Sequence, residues 1–377
     1  MSHLPDFRLE VFLSKWEFSG RHHLTASDAQ TLSVSELVAL ADAEDRKAWD
    51  ELALGYTQTS GDPGLRQAIA DTFENIEAED VVCFAGAEEG LYLAMHALLG
   101  ASDHAVVATP NYQAAETVPL SICRVTGVAL DPDDAWSLDL DAVAAAIEPN
   151  TRVVSVCFPN NPTGVVIDEV SFRRLAELCD ERGVHLFSDE VYRGLERDPV
   201  RTLPQAADLS ERALSLNVMS KALGLPGLRI GWIACRDRDV LSRLERAKHY
   251  TSICNSAPSE VLARIALKAR ERILARNLDI ICANLPRFEA FFAQFPDLFE
   301  WKPPDGGCVC FPRYTGPDGV EAFCTALVEE AGVVTLPASI YRSELTPTPT
   351  DRFRIGVGRE NPQSALDTFS TWLRSRS

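Results

Sequence analysis

The sequence predicts an α/β protein. A large unit carries a mostly parallel sheet with helices on both faces, and a smaller α+β unit is built from the two chain ends. Three observations lead there. Short apolar runs alternate with helical patterns between about residues 81 and 234, and strands that alternate with amphipathic helices assemble into parallel sheets. A long helical pattern then runs from Ser256 to about Phe295 and reads as a bridge out of the large unit. Beyond it, Pro303-Pro304-Asp305-Gly306-Gly307 opens a tail of strand-like residues and one more helix over Gly319–Ala331.

The expected strands are Val81–Phe84, Ala105–Ala108, Arg152–Phe158, His185–Ser188, Ala213–Val218 and Gly231–Ala234. The clearest helix lies between Asp168 and Gly183. Asp168 has N-cap chemistry, Phe172, Leu175, Ala176, Leu178 and Cys179 fall on one face, and Gly183 is a C-terminal stop. Pro286 is expected to interrupt the long helical pattern. The first 45 residues show no strand–helix alternation and go with the tail. The expected division is therefore 46–274 for the large unit, and 1–45 with 275–377 for the small one.

Composition excludes several function classes. The chain has 377 residues, 46% of them hydrophobic, enough for a sizeable core without disulfides. No apolar run reaches about 18 residues, so no membrane span is expected. The start, Met1-Ser2-His3-Leu4-Pro5-Asp6, does not read as a secretory signal. Ten cysteines are scattered without metal spacing. Cys157, Cys179, Cys235 and Cys308 sit among apolar neighbours and read as reduced, buried thiols of a cytoplasmic protein with no metal. A formal charge of −19 argues against nucleic acid or anionic membranes as partners. Any phosphate site must then come from a few placed cations and backbone amides.

Such residues cluster where strands are expected to end, which is where open α/β sheets place their chemistry. In Ser220-Lys221-Ala222-Leu223-Gly224-Leu225-Pro226-Gly227-Leu228-Arg229, a lysine follows an apolar strand and a Gly/Pro turn leads to an arginine. A desolvated lysine near other cations loses its proton readily and forms an imine with a carbonyl. Arg229 offers a fork to phosphate. Asp189, in Ser188-Asp189-Glu190-Val191-Tyr192, could hold a protonated ring nitrogen. Asn161 lies in a Pro/Asn/Gly turn after another strand. Gly86-Ala87-Glu88-Glu89-Gly90 opens a helix whose first amides suit phosphate. Tyr112, in Pro110-Asn111-Tyr112, could stack on a flat ring. Each piece alone has an ordinary structural explanation as turn, cap or core. Their order and placement together do not.

From about Leu24 to Arg359 the sequence resembles the fold-type I pyridoxal-phosphate enzymes, specifically the class I/II aminotransferases. The resemblance implies that Lys221 forms the imine with pyridoxal 5'-phosphate. Asp189 would pair with the pyridine nitrogen, Asn161 and Tyr192 would donate to the phenolic oxygen, and Tyr112 would stack on the ring. Gly86, Ala87, Glu88, Ser220 and Arg229 would form the phosphate site. Tyr56, in Gly55-Tyr56-Thr57, would reach the cofactor of a neighbouring subunit in a homodimer. Arg354, in Phe353-Arg354-Ile355-Gly356, would grip the substrate α-carboxylate beside Asn161. The implied reaction moves an amino group between an L-amino acid and a 2-keto acid.

Three departures stand out. Val218 replaces a common hydroxyl residue three before the lysine, Glu88 replaces an uncharged side chain, and Ala338 stands where glycine is frequent and could reshape the substrate pocket. Ser27 has two readings: it lines the substrate entrance, or it belongs to the cap of a helix over 33–41. Trp16 and Trp49 read as core, and His22-His23 as solvated. The stretches from Gly86 to Leu93 and Gly306 to Arg313 also resemble the capreomycidine-synthase branch. That keeps cyclisation of an arginine-derived amino acid, or β-elimination, as the alternative reaction on the same cofactor.

Overall fold

In the computed structural model, residues 4–17 and 19–376 are described. The strands of the main sheet are β1 (Val81–Phe84), β2 (His104–Thr109), β3 (Arg124–Ala129), β4 (Thr151–Cys157), β5 (His185–Asp189), β6 (Ala213–Val218) and β7 (Gly231–Ala234). Their spatial order is β1-β7-β6-β5-β4-β2-β3. The pairings β2–β3, β2–β4, β4–β5 and β5–β6 are parallel. Only β7 runs against its neighbours, β1 and β6. Most of these strands are buried along nearly their whole length because both faces of the sheet are covered.

The six expected strands are all present, and β3 is an addition. It is an edge strand with only Val128 buried. With one exposed side and Gly127 in its middle, it carries no apolar run to mark it.

The helices that matter for the site are α1 (Arg8–Trp16), α2 (Ala87–Leu98), α3 (Glu169–Arg182), α4 (Ala257–Lys268) and α5 (Arg270–Phe292). The Asp168 carboxylate accepts from the Ser171 N–H at 2.9 Å, and Gly183 closes α3 with φ +66. The long helical pattern breaks at Ala269, between α4 and α5, whereas Pro286 sits inside α5. Proline removes one backbone bond, and a 23-residue helix packed on an aromatic core tolerates that loss. The helix expected over 319–331 is α-helical only for Val320–Ala326 and continues as a π turn over Leu327–Ala331.

The chain ends meet. Residues His22–His23 pair in parallel with Val333–Val334. Leu9 joins a core cluster with Phe291, Phe299, Phe323, Phe353 and Phe369, and Phe12 and Leu13 pack against it. Trp16 and Trp49, expected in the core, are only half-buried. The short helix Val34–Val38 lays Leu37 and Val38 against Leu65 and Ile230. None of the described helices is long and apolar enough to cross a membrane.

Candidate active site

A cavity of about 700 Å³ opens at the carboxyl ends of β4, β5 and β6. It is lined by Ser27, Ala87, Glu88, Tyr112, Asn161, Asp189, Tyr192, Ser220, Lys221, Arg229 and Arg354. Eleven side chains named from the sequence, spread over more than 300 residues, thus share one space. The reversed strand β7 explains one of them. Because β7 starts where β1 and β6 end, Arg229 just before it arrives at the same rim.

One end of the cavity is an anion site. Gly86 (φ +96) leads from β1 into α2, and no side chain caps that helix. A Cβ on Gly86 would lie 2.5 Å from Arg229 Nη2, so glycine is what lets the guanidinium lie against the helix start. Arg229 Nη1 is 3.5 Å from Ser220 Oγ. Uncapped amides, a cation and a hydroxyl are the donors a phosphate needs. Val218 is buried, and the hydroxyl beside the cation belongs to Ser220.

The floor holds the acid and the lysine. Asp189 ends β5 and accepts from the Val191 N–H at 3.2 Å. Burial pushes its carboxyl up to about 6, against the pull of that N–H, of Lys221 and of the Cys157 thiol. Burial likewise lowers the Lys221 ammonium, opposed by Asp28 and reinforced by Arg354. Lys221 Nζ donates to Ser27 Oγ at 2.8 Å, and the Tyr192 hydroxyl donates to the Ser27 carbonyl at 2.7 Å. Ser27 therefore faces the cavity, while the following helix is capped by Ser33.

Above the floor, Arg354 is 2% exposed. Its Nη2 donates to the Thr25 carbonyl at 2.6 Å and its Nη1 to Asn161 Oδ1 at 3.3 Å. Its Nε has no partner. A buried donor without an acceptor is costly, and Arg354 carries this one on the cavity lining. Tyr112 packs on Phe7 with ring centroids 5.1 Å apart and hydrogen-bonds Glu88. The Glu88 carboxyl is open to the cavity yet hemmed in by protein. Burial first, then the charges of Asp189 and Glu10, push it up to about 7.

Some readings need correction. Ala338 is buried away from the cavity and does not reshape it. His23 is exposed at the cavity wall, as expected, whereas His22 is half-buried with Nε2 3.3 Å from Thr368 Oγ1. Tyr56 lies outside the cavity, 94% exposed. The sequence reading also passed over α1, whose Leu9, Glu10 and Leu13, with Glu17 just after it, form one wall. The available signal was spacing: 9, 10, 13 and 17 fall on one helical face. Asp28 and Arg359 also line the cavity, paired at 2.7 Å.

A family model described as aminotransferase class I and II matches residues 24–367. The chain belongs to that family. It is 34% identical to the arginine–pyruvate transaminase of Pseudomonas aeruginosa, over 82% of this chain and 80% of that protein. It is 29% identical to the capreomycidine synthase of Streptomyces vinaceus, over 96% of this chain and 91% of that protein. Its fold matches a PLP-dependent aminotransferase from Streptococcus suis with a TM-score of 0.91 and 26% identity, over 99% of both chains. The protein is accordingly a pyridoxal-phosphate-dependent aminotransferase with the fold-type I architecture. The cavity fits that cofactor: an anion site for the phosphate, a buried carboxylate suited to a protonated ring nitrogen, and a lysine whose amine is driven toward its neutral form.

Proposed function

We propose that the enzyme moves an amino group between an L-amino acid and a 2-keto acid, with Lys221 as the residue that holds the cofactor and shuttles the proton. The supporting observation is the meeting of Lys221, Asp189 and Arg354 in one cavity. When bound, pyridoxal phosphate supplies the electron-withdrawing ring that makes the substrate's α-proton removable. Ala87 and Glu88 N–H groups, Ser220 and Arg229 hold its phosphate. Asp189 would keep the ring nitrogen protonated, Tyr112 would stack on the ring, Asn161 would donate to the phenolic oxygen, and Tyr192 would join it by turning its hydroxyl from the Ser27 carbonyl. Arg354 takes the substrate α-carboxylate with a forked pair of N–H bonds, which turns the Cα–H bond toward Lys221. Ser27 positions Lys221 Nζ through the 2.8 Å bond. The lysine amine, whose proton burial makes easier to lose, accepts the substrate proton and returns it.

Tyr56 would serve the cofactor of a second copy, making the enzyme a homodimer with shared sites. Its exposure supports this, together with that of Leu54 (86%) and Tyr250 (89%). Thr57 Oγ1 donates to the Asn255 carbonyl at 3.1 Å and ties the Tyr56 segment to the 250–255 segment. Residues 46–274 would be the cofactor-binding unit, with 1–45 and 275–377 the smaller one. All ten cysteines are unpaired, which suits a cytoplasmic enzyme.

The test is Lys221→Ala. Borohydride should fix the cofactor on the wild-type chain and not on the variant, and turnover should vanish. A variant that still interconverts amino and keto acids ends this reading. The likeness to capreomycidine synthase over nearly the whole chain favours one second reading, a cyclisation on the same residues. Product analysis separates them: a keto acid with the amine form of the cofactor, or a ring-closed amino acid.

A further inference from the structure

The charges around the cavity do not balance after the cofactor and the α-carboxylate are provided for. Among the cations, Arg229 belongs to the anion site, Arg354 is assigned to the α-carboxylate and keeps its Nε unpartnered, and Arg359 is held by Asp28. Among the acids, Asp28 is thereby neutralised and Asp189 is committed to the ring nitrogen. Three carboxylates remain on the lining: Glu10 and Glu17 from the N-terminal segment and Glu88 from the first turn of α2. Among the described residues, none of the three has a basic side chain within ion-pair distance. Glu10 and Glu17 are seven residues apart, two helical turns, so both lie on the α1 face that carries Leu9 and Leu13 into the cavity. Glu10 is close enough to act electrostatically on both Glu88 and Tyr112, which places Glu10 and Glu88 around one region, and Glu17 lines the same cavity.

Arg354 lines this cavity with its Nε unpartnered, and that buried donor independently points to a ligand with an anionic end. A third charge on that ligand then decides its fit. A second carboxylate would add a further negative group beside Glu88, whose carboxyl Glu10 already pushes up. A neutral side chain would leave the repulsion in place. A cation would relieve it, and a guanidinium could bond two carboxylates at once.

We propose that this acid-lined wall selects an amino acid whose side chain ends in a guanidinium or ammonium group, with Glu10 and Glu17 as the residues that read it. The proposal rests on the transaminase reading and adds the substrate class to it.

The test compares arginine, citrulline and glutamate on the cofactor-loaded enzyme. Citrulline matches arginine in length but carries a neutral urea. Wild-type kcat/KM should favour arginine over citrulline by roughly tenfold or more, with glutamate poorest. Glu10→Gln/Glu17→Gln should bring the arginine-to-citrulline ratio to within about twofold. Glu10→Gln alone should lower it partly and Glu10→Asp should lower it less. Val11→Ala, on the exposed side of α1, should leave it unchanged. Equilibrium binding to cofactor-loaded Lys221→Ala should give the same ordering without turnover. Equal use of arginine and citrulline by the wild type, or an unchanged ratio in the double variant, overturns the proposal while the transaminase reading stands. Failure to convert any amino acid overturns the transaminase reading and this proposal with it.

Discussion

Replacing Arg354 separates binding, orientation and folding in one residue. Two of its donors are engaged by the protein, at 2.6 Å to the Thr25 carbonyl and 3.3 Å to Asn161, and Nε is open. A carboxylate held by two charge-assisted hydrogen bonds gains about 1.5–3 kcal/mol from each. Arg354→Ala should therefore lower kcat/KM by roughly 3–6 kcal/mol in transition-state terms, a factor of about 10² to 10⁴. Because the residue both binds and aims the substrate, KM should rise and kcat should fall. Arg354→Lys keeps the charge without the fork and should recover about one of the two bonds. Arg359 is the internal comparison: it already bonds Asp28 at 2.7 Å, so Arg359→Ala should cost substrate binding far less. Steady-state kinetics with one amino donor, beside thermal melts of each variant, reads all of this. An unchanged KM in Arg354→Ala, or a larger loss in Arg359→Ala, refutes the assignment of the carboxylate site.

Asp189→Asn should stabilise the cofactor-free protein near pH 7 while removing most turnover. The native carboxyl sits near 6 against an ordinary 3.8, so ionising it disfavours the folded state. Its contribution is intact below about pH 4 and is lost as pH rises to about 6. The penalty above that pH is on the order of 2 kcal/mol, allowing for water in the cavity. Denaturant melts of both apoproteins from pH 4 to 8 should diverge across that window, and parallel curves would contradict the buried-acid account. Gly86→Ala should displace Arg229 and force a side chain onto φ +96, weakening pyridoxal phosphate by roughly tenfold but phosphate-free pyridoxal little. Equal losses for both would remove Arg229 from the phosphate site. Tyr56→Phe should leave the melting of the chain within about 0.5 kcal/mol because the residue is exposed, yet weaken the cofactor. Unaltered cofactor affinity would show that no second copy uses this hydroxyl.

Much of the site was legible because its residues follow apolar strands, and a parallel sheet must deliver such residues to one edge. Lys221 and Asn161 each follow a strand with four apolar residues, and Asp189 closes a shorter one marked by Leu186 and Phe187. Arg229 was legible as a cation after a Gly/Pro turn, though not the strand reversal that brings it to the rim. The edge strand β3 was hidden because its outer side is solvated. The break at Ala269 was hidden because alanine is a good helix former, so nothing in its own chemistry marks the end of α4, while Pro286 carries a strong signal that packing overrides. The acids of α1 were passed over for a different reason. A charged residue on an amphipathic helix is ordinarily a solvent-facing one, and only tertiary placement turns Glu10 and Glu17 inward to a cavity.

Helix α1 is joined to the rest lightly. Leu9 is its only buried residue, and Arg8 ties its start to the Ile340 and Arg342 carbonyls. The lysine and the acid stand instead on the central sheet. The machinery for breaking the bond and the surface that inspects the side chain are thus separable parts. A lineage, or an engineer, could exchange this short segment together with Glu17 at its end and change the diet of the enzyme while its chemistry went on undisturbed.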